Sequence, residues 1–230
     1  MKKTTFWLFL IFVFSSAIQA EDLAFVQFIK GKVIAIKDGN KRKLKKNDII
    51  TEGETIKTND ESHLVIFFKG SEIHVMPESS LVLKSLPEKN KKSSMELLKG
   101  FSWFKLVNLG KGSFDVATPV SIAGVRGTSF SVIYEEDEKR AMNCICHGSV
   151  KVSPANGKAE LIKAGNGSVI SEDLKLHKIN YKGLILKKES LPAFAKELEA
   201  APILKNCLSC HIPKGWTPKK EEQPSFDYPM

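Results

Sequence analysis

Between Phe25 and about Ile170 the chain alternates short apolar runs with glycine-bearing turns, and that pattern points to strands. Val33-Ile34-Ala35-Ile36, Leu64-Val65-Ile66-Phe67-Phe68, Ile73-His74-Val75-Met76, Leu81-Val82-Leu83 and Phe130-Ser131-Val132-Ile133 are β-branched or aromatic segments of strand length. One unit recurs: a polar residue, a glycine, then an apolar residue two or three positions on. It appears as Lys30-Gly31-Lys32-Val33, Glu52-Gly53-Glu54-Thr55-Ile56 and Lys69-Gly70-Ser71-Glu72-Ile73. Later copies are Lys111-Gly112-Ser113-Phe114, Arg126-Gly127-Thr128-Ser129-Phe130 and His147-Gly148-Ser149-Val150. Glycine ahead of a strand supplies the positive φ or tight bend that each return of the chain requires. The six glycines are 22, 17, 42, 15 and 21 residues apart, so there is no strict sequence repeat. The expected fold is all-β, a solenoid-like stack of short strands, with a β-sandwich of Gly-rich turns as the alternative.

The chain begins with what reads as an export signal. Lys2 and Lys3 form a positive start, Phe6 to Phe14 an unbroken apolar run, and Ser15-Ser16-Ala17-Ile18-Gln19-Ala20 a small-residue cleavage zone. The run is shorter than the roughly 20 residues a bilayer span needs. Cleavage is expected after Ala20, which makes residues 1–20 a signal peptide and the mature protein periplasmic or secreted. An uncleaved N-terminal anchor is the alternative. No cysteine follows the apolar run, which argues against a bacterial lipoprotein.

Export changes the meaning of the charge. The 230 residues carry a net +9, with 42% hydrophobic and 27% charged residues, values that exclude wholesale disorder and a polytopic membrane protein. Lys41-Arg42-Lys43 with Lys45-Lys46, and Lys89 with Lys91-Lys92, lack the interleaved aromatics that stack on bases. They adjoin turn compositions and are expected as solvated loops, with no nucleic-acid partner. Attraction to an anionic envelope polymer is the functional role left to them.

After the β-domain, residues 21–172, the character changes. Residues 173–189 read as a linker or edge strand, and 190–230 as a short helical, Pro-rich tail. Ser190 is a candidate N-cap and Pro192 an early helical position. Phe194, Leu198 and Ala201 fall at i, i+4 and i+7, an apolar stripe that needs a surface to lie on.

The tail holds the sharpest chemical motif, Cys207-Leu208-Ser209-Cys210-His211. C-x-x-C-H is the attachment sequence for covalent haem c. Two thiols at that spacing add to the two vinyl groups of one porphyrin, and the adjacent histidine ligates the iron. A local Cys207–Cys210 disulfide, or a bridge to the other cysteines, is the competing reading. Those others are Cys144 and Cys146, which at i and i+2 on a strand share one face. Long-range disulfides pinning the tail to the sheet, or two half-buried thiols, are expected in preference to a Cys/His metal site. Four cysteines are too few to build a disulfide scaffold.

Arginine is rare here, present only at 42, 126 and 140, so Arg126 stands out in Thr118 to Phe130, a stretch with no other charge. Lying between Gly124 and Gly127, its guanidinium offers a rigid fork of donors. A buried or half-buried arginine tying turns together is expected ahead of a ligand contact.

Ala117-Thr118-Pro119-Val120-Ser121-Ile122-Ala123-Gly124-Val125-Arg126-Gly127-Thr128-Ser129-Phe130 resembles the signature of the FecR domain family. Leu44 to Thr58, Glu61 to Leu83 and Gly148-Ser149-Val150-Lys151-Val152 resemble further family motifs in the same order, so the likeness covers about Phe25 to Ser153. It implies a periplasmic β-rich domain with solenoid-like stacking. The best-known members relay an outer-membrane receptor signal to an extracytoplasmic sigma factor. They carry a cytoplasmic anti-sigma segment and an internal membrane span where this sequence has a signal peptide, so no direct sigma-factor contact is expected. The chain is expected to be a non-enzymatic binding or sensing module with an envelope protein or anionic envelope polymer as partner. A small cytochrome-like redox or haem-sensor protein is the alternative. No nucleophile elbow, HExxH or phosphate-binding glycine loop supports an enzyme, and Glu135-Glu136-Asp137-Glu138 reads as a hairpin loop.

Overall fold

The computed structural model describes residues 23–85, 92–107, 109 and 112–180. Within them the chain forms seventeen strands and no helix. The first nine are β1 (Ala24–Lys30), β2 (Val33–Lys37), β3 (Asn40–Lys43), β4 (Ile49–Ile50), β5 (Thr55–Thr58), β6 (His63–Phe68), β7 (Ser71–Val75), β8 (Ser80–Ser85) and β9 (Lys92–Lys105). Then come β10 (Ser113–Ala117), β11 (Ser121–Val125), β12 (Ser129–Glu135), β13 (Arg140–His147), β14 (Ser149–Pro154), β15 (Glu160–Lys163), β16 (Gly167–Ile170) and β17 (Leu176–Ile179). The expected apolar runs fall in β2, β6, β7, β8 and β12. Of the six punctuating glycines, Gly31, Gly53, Gly70, Gly127 and Gly148 have φ between 74° and 83°. The acidic run lies where expected, at the turn joining β12 to β13. Residues 1–20, expected as a signal peptide, and residues 190–230, expected as a helical tail, lie outside the described residues.

Backbone pairing arranges the strands in two rows. The first layer runs β4-β1-β6-β7-β9-β12-β13-β16-β17. The second runs β3-β2-β5-β8-β9-β10-β11-β14-β15. Every pairing is antiparallel except β9 with β10. Strand β9 belongs to both rows. Its N-terminal half pairs with β8 and β10, and its C-terminal half with β7 and β12, so all seventeen strands form one open sheet folded into two layers. The chain passes repeatedly from layer to layer, and this explains why the sequence suggested both a solenoid and a sandwich. It winds like the former and packs like the latter.

One apolar core fills the space between the layers. Ile66, Ile73, Phe104 and Phe130 enter from the first layer, and Ile56, Leu81, Met95, Leu97 and Val150 from the second. Phe104 and Phe130 stack with centroids 5.1 Å apart. Burial of each such side chain contributes about 1.5–3 kcal/mol.

The cluster Lys41-Arg42-Lys43 is not a loop. It forms β3, exposed along its length at the edge of the second layer. Arg42 is held there, its guanidinium donating to Glu54 at 2.8 and 2.9 Å and to the Ile49 carbonyl at 2.7 Å. The Glu54 carboxylate is buried and also accepts the Thr51 N–H at 2.7 Å. Arg42→Ala is expected to lower stability by about 1–3 kcal/mol, less than a fully buried pair would cost because Arg42 itself is partly solvated. Lys41→Ala is expected to change it by under about 0.5 kcal/mol. Urea unfolding midpoints check both.

Candidate functional site

Alternation along β10, β11 and β14 sends Phe114, Val116, Ala123, Val125, Val150 and Val152 into the core. The residues between them, among them Ser113, Asp115, Gly124, Ser149 and Lys151, face outward. Register then sets Asp115 opposite Gly124, Gly124 opposite Lys151, and Lys151 opposite Leu161. Gly124 leaves a gap between two longer side chains; a Cβ there would stand 3.2 Å from Asp115 Oδ1. The gap is the floor of an open cavity of about 440 Å³, lined by Lys92, Ser113, Asp115, Gly124, Val125, Arg126, Ser149, Lys151 and Leu161.

The cavity is electrostatically lopsided. Lys92 Nζ lies 2.5 Å from Asp115 Oδ2 and neutralises the one carboxylate on its wall. Among the described residues neither Arg126 nor Lys151 has an acidic or hydrogen-bonding partner. Two uncompensated cations therefore face a concave, half-open space. The expectation of a buried Arg126 tying turns together is corrected: Arg126 is exposed. Val125 ends β11 pointing inward, so alternation turns Arg126 outward before Gly127 bends the chain toward β12.

The first layer carries a different outer surface. Its register forms a row across seven strands, Phe28, Val65, His74, Trp103, Ser131, Cys144 and Gly167. Beside it runs a second row of Phe101, Ile133, Met142 and Val169. Phe28, His63, His74 and Trp103 make a ladder of ring contacts with centroids 5.6, 5.4 and 5.0 Å apart in turn. Burial lowers the pKa of His63 to about 3, with smaller contributions from His74 and Lys30. Burial also lowers that of His74, against the pull of Glu72, whose carboxylate is 3.5 Å from Nε2. Cys144 is buried on this face and Cys146 half-buried.

Of the residues singled out in the sequence, Gly124 and Arg126 line the cavity and Gly127 follows it. Cys144 and Cys146 lie on the opposite layer. Cys207, Cys210 and His211 lie outside the described residues. Among the described residues no three His, Cys, Asp or Glu side chains cluster closely enough to hold a metal ion. Lys92, Asp115 and Lys151 escaped sequence reasoning, as did His63, His74 and Trp103. Their neighbours are distant in sequence, and only strand register brings them together.

Residues 54–151 match the family model for FecR protein. That FecR-matching segment contains every residue lining the cavity except Leu161. It also spans β6 to β13, the strands that carry most of the aromatic face. No curated protein matches the chain. Two crystal structures of a candidate anti-sigma factor from Parabacteroides distasonis ATCC 8503 are similar to it, each at 16% identity with a TM-score of 0.49. One alignment covers 55% of this chain and 59% of that protein, the other 63% and 72%. The chain thus spans 59% of the length of the first.

Proposed function

We propose that this is an exported, non-enzymatic binding and sensing module of the cell envelope that reads an anionic group in the Gly124 cavity. The observation carrying this reading is the pair of uncompensated cations, Arg126 and Lys151, flanking a floor that a glycine keeps open. Carboxylate and phosphate both suit a guanidinium fork beside an ammonium. The partner is an acidic segment of an envelope protein or an anionic envelope polymer, and the location is periplasmic or extracellular.

Fluorescent polyglutamate and polyphosphate serve as probes of the two anion chemistries. The variant Arg126→Ala/Lys151→Ala is expected to lose affinity at least about tenfold for one of them at about 0.1 M salt, where charges more than about 10 Å away are screened. Lys41→Ala/Lys43→Ala, on a distant edge, is expected to lose less than about twofold. Equal losses from both double variants would show diffuse charge attraction in place of a site.

The C-x-x-C-H sequence supports a second component, covalent haem c on Cys207 and Cys210 with His211 as an iron ligand. The tail would then be the redox or ligand-sensing element and the β-domain its scaffold. Intact mass and the visible spectrum, on protein exported by a host with c-type maturation machinery, test it. One porphyrin adduct and a Soret band are expected; absence of both removes the haem.

A further inference from the structure

The positive charge of the second layer extends beyond the cavity to an edge of the sheet. Continued by one or two residues, the registers that pair Phe114 with Val125 and Gly124 with Lys151 set Ser113, Arg126 and Ser149 in line. Lys92 lies opposite Ser113 at one end of that line, and Lys163 lies opposite Ser149 at the other. The outer face of β9, β10, β11, β14 and β15 thus carries a row of Lys92, Ser113, Arg126, Ser149 and Lys163, with Lys151 beside it. At about 4.8 Å per strand the row is about 19 Å long. Ile162 points into the core, so Lys163 points out; it is exposed, and among the described residues no ion pair engages it. The two acids bordering the row are already paired, Asp115 with Lys92 and Glu160 with Lys178, each at 2.5 Å. Arg126, Lys151 and Lys163 therefore stand on three neighbouring strands with their charge uncompensated. Among the described residues no strand of this layer pairs beyond β15, so the row runs out to an open edge.

We propose, resting on the anion-reading cavity above, that its ligand is a linear phosphate-linked polymer lying across the strands from Arg126 to the β15 edge. A single anion needs no more than Arg126 and Lys151. Lys163 is two strand spacings, about 10 Å, from Arg126 on the same row, a separation matched by repeated charges along a chain. An acidic protein segment is served less well. An extended peptide satisfies its backbone by adding along the open edge of β15, in line with the strands, where it meets the charges of one strand. Laid across the strands instead, its amides would find only ammonium groups, a guanidinium and two serine hydroxyls. A phosphodiester or phosphoanhydride chain has no amides to satisfy. Each of its links keeps free oxygens that accept from a guanidinium, an ammonium and a hydroxyl together. Ser113 and Ser149 lie half-buried between the cations, and among the described residues neither hydroxyl makes a hydrogen bond. Asp115 limits the path, because its pairing with Lys92 takes one cation out of the row.

The test measures binding of fluorescent long-chain polyphosphate to the full mature chain from Glu21 across a salt series. Each cation removed from the path is expected to flatten the slope of log affinity against log salt by about one. Lys163→Ala is expected to show that loss of slope and to weaken polyphosphate at least about threefold. Pyrophosphate, read by competition and too short to run from Arg126 to β15, is expected to change by less than about twofold in the same variant. Asp115→Asn releases Lys92 and is expected to tighten polyphosphate at least about threefold and to steepen the slope, a gain that misfolding cannot produce. The proposal is overturned if either variant leaves affinity and slope for polyphosphate unchanged, or if polyglutamate of equal charge binds more tightly than polyphosphate. Those results leave the cavity standing as long as Arg126→Ala/Lys151→Ala still weakens a probe. If that double variant has no effect, the anion-reading function falls together with the polymer.

Discussion

Gly100→Ala is expected to cost about 2–5 kcal/mol, and Gly39→Ala about 1–2 kcal/mol, although both glycines have strongly positive φ, +87° and +79°. An L-residue in that region costs about 1–2 kcal/mol, and the two substitutions share this part. They differ in space. At Gly39 an added Cβ meets nothing within 4 Å, whereas at Gly100 it would stand 2.7 Å from Ser79 Cα and 2.3 Å from Ser79 Oγ. The Cα is backbone and cannot swing aside. Ser79 Oγ is itself committed, accepting the Phe101 N–H at 2.9 Å. Overpacking of a fixed neighbour adds about 1–3 kcal/mol. Gly100 is also where β9 crosses from the second layer to the first, so the strain falls on the strand that joins Lys92 at the cavity to Trp103 on the opposite face. For a domain stable by about 5–15 kcal/mol, this is a large share of the total. Urea unfolding followed by far-ultraviolet circular dichroism measures both costs. Equal values for the two variants would show that Ser79 yields.

The second layer was largely legible in the sequence and the first was only partly so. The glycine units and short β-branched runs announced strands because positive φ and period-two alternation are local properties. The signature around Arg126 led to the cavity, since Gly124 is small for a local reason, the close approach of Asp115. The burial of Arg126 was misjudged because its scarcity suggested a special environment, whereas the alternation from Val125 already sent it outward. The cavity's other walls, Lys92 and Lys151, depend on register between strands tens of residues apart, which no local pattern encodes. The aromatic face did leave a trace that went unread. Leu64-Val65-Ile66-Phe67-Phe68 has no polar alternation, and a run apolar at every position signals a strand covered on both sides. Cys144 and Cys146 were rightly placed on one face of a strand, but the sequence could not say which layer. The long strand β9 was missed because Lys92-Ser93-Ser94 and Glu96 look like a loop; Lys92, Ser94 and Glu96 face outward, while Ser93, Met95 and Leu97 are buried.

Acidification from pH 6.5 to 4.5 is expected to remove about 2–3 kcal/mol of stability through His63 alone. Buried at 3% exposure, this imidazole has its pKa lowered to about 3, against about 6.5 in the unfolded chain. Above pH 6.5 both states hold it neutral and the difference vanishes. Between 6.5 and 3 the unfolded chain binds a proton that the folded one refuses, so stability falls by about 1.4 kcal/mol per pH unit and levels off below pH 3. The groups facing it are themselves unhelpful to a positive charge: His74 from β7 and Lys30 from β1 both disfavour it, and burial lowers the pKa of His74 as well, with Glu72 opposing. His63→Gln keeps a polar side chain without the titration. Its urea midpoint should therefore drop less than the parent's between pH 6.5 and 4.5, by the equivalent of about 2–3 kcal/mol. Parallel slopes for the two proteins would mean that His63 is solvated in solution. The same imidazole is buried on the first layer, beside the ring of His74. Acid should thus loosen that layer before the rest of the sheet, and Cys144 alkylation should quicken over the same interval in the parent but not in His63→Gln.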